Sequence, residues 1–187
     1  MTAYVIGNGV SRKPVNLRKL NGMTYGCNAL YRDYEPDVLV ATDEPISRAI
    51  QESGYPRYKR FHTRKPFAGS GARPLKQAYW GWSSGPNALA LAVEDKHREI
   101  TVLGFDFGST HKGFNNVYAD TEFYRKSHET ATFGGNWVHQ VDTIIRHNPR
   151  IKFTFVQGKD TRMPAIDEYD NVTIMDIGEF LDIINNV

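Results

Sequence analysis

"AYVIGNGVSRKP", residues 3–14, runs four strand-forming residues straight into a glycine–asparagine–glycine corner, then into a serine and a proline. Gly7 and Gly9 tolerate positive φ and let another backbone or a ligand approach where a Cβ would stand. Asn8 offers an amide donor and a carbonyl acceptor together. The corner is therefore either a plain tight turn or the seat of a nucleotide phosphate or sugar. It is not the dinucleotide fingerprint, since no third glycine follows at the required place, and it lacks the lysine of a P-loop.

Short β-branched runs alternate with amphipathic stretches along the rest of the chain. "MTYGCN", "PDVLVATD", "YKRFHT", "EITVLGFDF", "IKFTFVQG" and "NVTIMD" read as further strands. "VNLRKL" reads as a short helical turn, and "EPISRAIQESG", "SSGPNALALAVEDK", "NWVHQVDTIIRHNP" and "IGEFLDIINNV" as helices. Ser84 is the expected N-cap of the second of these, with Pro86 in its first turn. Residues 66–74 carry turn chemistry without apolar periodicity and read as a mobile loop. Strands separated by helices predict an α/β fold: one domain over residues 1–187, a mainly parallel sheet, and helices on both faces.

Composition narrows the class. A chain of 187 residues with 40% hydrophobic and 24% charged residues is ordinary for one globular domain. No apolar run approaches the length of a membrane span, and no basic leader precedes the apolar residues 3–6. Cys27, the single cysteine, cannot form an internal disulfide and fits a reducing compartment, so a cytoplasmic protein is expected. The net charge is only +2, yet Arg57, Lys59, Arg60, Arg64, Lys65, Arg73 and Lys76 follow one another with no acid between them. This 57–76 stretch is either a solvated loop or one that faces phosphates, an anionic acceptor or nucleic acid. With the aromatic "YWGW" at 79–82 it makes a basic and aromatic region, 57–82, whose rings either stack a base or sugar or pack beside the next helix.

In parallel sheets ligands collect outside the C-terminal ends of the strands. Small and polar residues fall at four such ends: Gly7-Asn8-Gly9, Cys27-Asn28, Thr42-Asp43 and Gly104-Phe105-Asp106. Ser83-Ser84-Gly85 opens a helix and reads as a second phosphate seat or as an ordinary cap.

The motif series "YVIGNGVS…TYGCNALY…VLVATD…SSGPNALALAV…ITVLGFDF…VYADT" resembles the bacterial sialyltransferases of glycosyltransferase family 42. It is similar also to the wider Rossmann-like group that includes 6-hydroxymethylpterin pyrophosphokinases. The first resemblance implies a Rossmann-like domain that takes a nucleotide sugar as donor, needs no metal or other cofactor, and transfers the sugar with inversion. It implies a nucleotide pocket at Gly7, Asn8, Gly9, Ser11, Asn28, Ser83, Ser84, Gly85 and the strand end Gly104, Phe105, Asp106, Phe107. Asp43 stands where the family has an asparagine and suits a sugar hydroxyl. Tyr118 matches one leaving-group tyrosine; Gly108 stands at the place of the other. A histidine serves as general base in that family, and His139, His128 and His111 are the candidates. The pyrophosphokinase alternative would place Mg²⁺ on Asp43 and Asp106. The other class is a non-catalytic protein that binds a nucleotide or nucleic acid.

Overall fold

In the computed structural model, which describes residues 1–108, 113–129 and 135–186, period-two burial settles how the apolar runs are used. The strands are β1 (Ala3–Ile6), β2 (Met23–Cys27), β3 (Val38–Val40), β4 (Arg60–Thr63), β5 (Arg73–Pro74), β6 (Glu99–Leu103), β7 (Lys152–Gln157) and β8 (Val172–Asp176). Ala3 and Val5, Val38 and Val40, Ile100 and Val102, and Phe153 and Phe155 enter one core layer. Ile6, Leu39, Leu103 and Val156 enter the other. Successive side chains point to opposite sides of a strand, so a sheet covered on both faces needs apolar residues at both parities.

The helices α1 (Glu44–Glu52), α2 (Ser84–Glu94), α3 (Gly135–His147) and α4 (Ile177–Asn185) supply the two covers. Leu89 of α2 and Val141 and Ile144 of α3 belong to the first layer; Ile46 and Ile50 of α1 and Phe180 and Ile184 of α4 belong to the second. Helix α2 is apolar nearly all round and is buried from Ser84 to Ala92, as expected of a helix with no solvent face. The fold is thus a single Rossmann-like α/β domain. No helix among the described residues is long and apolar enough to cross a membrane.

The sheet order is β5-β4-β3-β2-β1-β6-β7-β8, and every pairing is parallel. The chain moves outward from β1 to β5, crosses back over the sheet through α2, and resumes at β6 on the other side of β1. Strand order therefore reverses between β1 and β6, and the crevice above that pair is the expected ligand position of the fold.

Three expectations from the sequence need correction. Residues 66–74 are not wholly loop: Arg73–Pro74 pairs with His62–Thr63 as an edge strand, a place where proline's missing N–H does no harm. The N-cap of α2 is Ser83, not Ser84, and its side chain makes no capping bond. The basic 57–76 stretch is not one loop, because β4 and β5 both lie within it. Arg60 pairs with Asp95 at 2.6 Å and Lys76 with Glu94 at 2.8 Å, whereas Arg64 reaches the carbonyl of Trp82. The aromatic run packs beside α2: Tyr79 and Trp82 lie 5.0 Å apart, and Asn87 Nδ2 donates to both of their carbonyls.

Arg60 also donates from Nε to His62 Nε2 at 3.0 Å. Burial, then the adjacent guanidinium, pushes the His62 pKa down to about 4. The unfolded chain accepts this proton near the ordinary histidine value, the native one only near 4, so unfolding takes up a proton between the two. Stability should fall as pH drops from about 6.5 to about 4, with His62 contributing about 2–3 kcal/mol of the loss. Denaturation midpoints across that range for the native chain and His62→Gln check this; the variant should show the shallower slope, and equal slopes would refute it.

Candidate functional site

The glycine corner is first of all a crossing of two backbones. Past the end of the β1–β6 ladder, Gly7 N donates to Leu103 O at 2.7 Å and Gly9 N to Gly104 O at 2.9 Å. A Cβ on Gly7 would stand 2.6 Å from Gly104 O, and one on Gly9 2.6 Å from the same oxygen and 2.5 Å from the Asp106 carboxylate. Only glycine fits such an approach. The exits of β1 and β6 close the crevice between them, so a ligand can lie only above the corner.

Asn8, buried in that corner, is held by three partners. Its Nδ2 donates to Cys27 O at 2.9 Å, its Oδ1 accepts from Arg12 Nη2 at 3.1 Å, and its carbonyl accepts from Val117 N at 2.8 Å. Arg12, also buried, donates from Nε to Gly7 O and from Nη2 towards the Tyr118 hydroxyl. Burial and the neighbouring Asp33 carboxylate, which accepts from that hydroxyl, raise the Tyr118 pKa despite the nearby guanidinium. Asp106 is likewise engaged: its Oδ2 accepts from Ser11 N and its Oδ1 from Thr161 Oγ1. Asn8, Arg12, Asp106 and Tyr118 thus tie the loops after β1, β6 and β7 to residues 115–118.

Above this frame lies a cavity of about 120 Å³ lined by Asn8, Gly9, Cys27, Asn28, Gly104, Asp106, Phe107, Gly108, Asn116 and Trp137. Four of these hold left-handed backbone: Asn28 (φ 53°), Gly104 (66°), Phe107 (52°) and Gly108 (87°). Asparagine and glycine enter that region readily, but for a phenylalanine it costs about 1–2 kcal/mol. Strain of this kind persists where the surroundings fix it, and it collects at binding sites. Asn28 Oδ1 is buried with no hydrogen-bond partner among the described residues, and Asn115 Nδ2 is in the same condition. Asn115 is fixed in place because its Oδ1 accepts from Val10 N at 2.8 Å.

Asn28 also lines a second cavity, with Asp43, Glu44, Pro45, Ile46, Phe123 and Tyr124. Asp43 and Glu44 continue into a third, between α1 and the segment after β4. The first two cavities share Asn28 and the last two share Asp43 and Glu44, so the three follow one another along the C-terminal edge of the sheet from β6 to β4.

Of the residues expected at the site, Asn8, Gly9, Asn28, Gly104, Asp106 and Phe107 come together around one cavity, and Asp43 lines its neighbour. Gly7, Ser11 and Phe105 lie behind it, Phe105 meeting Trp137 with ring centroids 4.9 Å apart. Ser83, Ser84 and Gly85 do not line it. Ser83 N is bonded to Gln140 Oε1, and Ser84 Oγ holds Thr42 at the end of β3. Trp137 lies so close over Gly85 that an added Cβ would fall 2.2 Å from its ring.

His139 does not line the cavity. It is exposed, and two residues along α3 from Trp137 turn it about 200° away from the cavity that Trp137 lines. His128 is exposed too, and among the described residues no histidine lines any of the three cavities. His111 lies outside the described residues. Asp43 and Asp106 follow β3 and β6, three strand positions apart, hence about 14 Å across the sheet. Mg²⁺ holds its ligands at about 2.1 Å, so these carboxylates do not fit one shared ion.

Sequence reasoning missed Arg12, Asn115, Asn116, Trp137 and Tyr124. Tyr124 lies 5.7 Å from Tyr118, ring to ring, and its hydroxyl accepts from Ala29 N beside Asn28. The chain matches no family model, no curated protein and no solved structure.

Proposed function

We propose that this protein binds a nucleotide sugar in the cavity above β6, β1 and β2 and passes the sugar to an acceptor hydroxyl. The observation that carries the reading is the concentration of left-handed backbone around a cavity lined by Asn28, whose carbonyl oxygen is buried with no hydrogen-bond partner among the described residues. That oxygen accepts from a ribose hydroxyl or a base amine, and Phe107 and Trp137 give a ring an apolar wall. In the transfer the acceptor oxygen bonds to the sugar carbon as the carbon–phosphate oxygen bond breaks, and a base takes the acceptor's proton. The role of base goes to a histidine among His139, His128 and His111, and His111, three positions after the cavity-lining Gly108, is the first to test.

A second reading, nucleotide binding without transfer, draws on a different observation. The side chains of Asn8, Asp106 and Tyr118 are all held by internal bonds. A thermal-shift panel of nucleotides and nucleotide sugars, followed by a nucleotide-release assay, separates the two. Ligand at a hundred times its Kd should stabilise by about 2.7 kcal/mol. Stabilisation with release of nucleotide that His111→Ala abolishes supports transfer; stabilisation without release supports binding alone. No stabilisation by any nucleotide refutes both.

A further inference from the structure

The third cavity, about 190 Å³, lies between the flank of α1 and residues 63–67. Gln51, buried on α1, builds it by pinning the segment after β4: its Nε2 donates to Ser47 Oγ and to Lys65 O, and its Oε1 accepts from Phe67 N and Ser70 Oγ. The floor is hydroxyl-rich, with Ser47 and Thr63 joined at 2.6 Å and Thr42 beside them. The charged lining groups are Arg48, Arg64 and Lys65 against Asp43 and Glu44, one positive charge in excess. Arg48 is already paired with Glu44 at 3.3 Å and stacks on Phe67. Arg64 is half-buried; one guanidinium nitrogen donates to Trp82 O, while Nε is buried with no partner among the described residues.

A buried guanidinium N–H without an acceptor is costly, and a small turn of the Arg64 side chain into the cavity it lines gives that N–H an oxyanion as acceptor. We infer that this cavity is an anion site in which Arg64 and Lys65 hold the phosphate or carboxylate of a second substrate. The hydroxyls of the floor add donors that a tetrahedral or planar oxyanion can use. The site joins the Asn28 cavity through Asp43 and Glu44, and the ends of β2 and β4 lie about 10 Å apart across the sheet, a span for two substrates meeting end to end. That its occupant is the sugar acceptor rests on the transfer reading above; that it binds an oxyanion does not.

The test titrates inorganic phosphate, and in a second arm acetate, into the full chain at constant ionic strength, with no nucleotide present. One of the two should bind saturably, and the stronger identifies the anion class. Its Kd should rise about tenfold or more in Arg64→Gln, and about threefold in Lys65→Gln, whose exposed side chain leaves folding untouched. Asn28→Gly should leave it unchanged, so a failed nucleotide panel and a failed anion site are told apart. If neither anion binds, or if binding is the same in the native chain and Lys65→Gln, the inference is overturned even should Arg64→Gln fail to fold.

Discussion

Gly104→Ala is expected to destabilise the protein by about 2–5 kcal/mol, a large share of the roughly 5–15 kcal/mol that holds an ordinary domain folded. Two costs combine. Gly104 has φ 66°, which costs an alanine about 1–2 kcal/mol. Its Cβ would also stand 2.5 Å from Gly7 O, and relieving the overlap means separating the exits of β1 and β6, at about 1–3 kcal/mol for overpacking. Gly54→Ala isolates the first cost, because Gly54 has φ 82° with nothing within 4 Å of the added atom. Urea denaturation of the two variants should show Gly54→Ala losing about 1–2 kcal/mol and Gly104→Ala at least twice that. Equal losses would mean that the backbone crossing does not hold the corner.

Arg12→Met carries the second large effect, a loss of about 3–5 kcal/mol. Methionine keeps the length of the apolar stem, so packing changes little. The donors vanish, however, leaving Gly7 O and Asn8 Oδ1 buried without Arg12 Nε and Nη2. An orphaned buried acceptor costs about 1–3 kcal/mol, and the Tyr118–Asp33 contact loses its nearby cation as well. Arg12→Lys should recover less than half, since one ammonium cannot reproduce a planar fork that spans Gly7, Asn8 and Tyr118. A denaturant midpoint for Arg12→Met within error of the native chain would contradict this account of the frame.

Much of the fold was legible because local signals and packing agree. Val5 and Ile6, or Leu39 and Val40, are apolar at adjacent positions, as a doubly covered strand requires, and the strands were visible for that reason. The neighbours of each strand were not. Placing β6 beside β1 depends on contacts between residues about a hundred apart, and β5 is two residues whose pairing has no periodicity to reveal it. Ser83 and Ser84 are chemically alike, so only the tertiary bond from Ser84 to Thr42 shows which of them opens the helix.

The candidate site was legible where it is made by strand ends and illegible where it is made by loops. Asn8, Asn28 and Gly104 to Phe107 follow strands, and the parallel sheet carries them to one edge. Asn115, Asn116 and Trp137 come from segments without periodicity or from the start of α3, and their approach is set by tertiary bonds such as Val10 N to Asn115 Oδ1. Arg12 left one faint signal, a long basic residue four positions after a corner asparagine. On α3 the helix brings Trp137 to the cavity and leaves His139 exposed, two positions on and about 200° round.

Asn28 is proposed to read a nucleotide from the cavity that it lines, and Asn28→Gly tests this with little disturbance. Glycine keeps the left-handed backbone at φ 53° and removes only the carboxamide. The measurement is a calorimetric titration of the most stabilising nucleotide into the native chain and into this variant. The expected result is saturable binding to the native chain and a Kd raised about tenfold or more in Asn28→Gly, with its denaturation midpoint little changed. Equal affinity in the two proteins would contradict the claim.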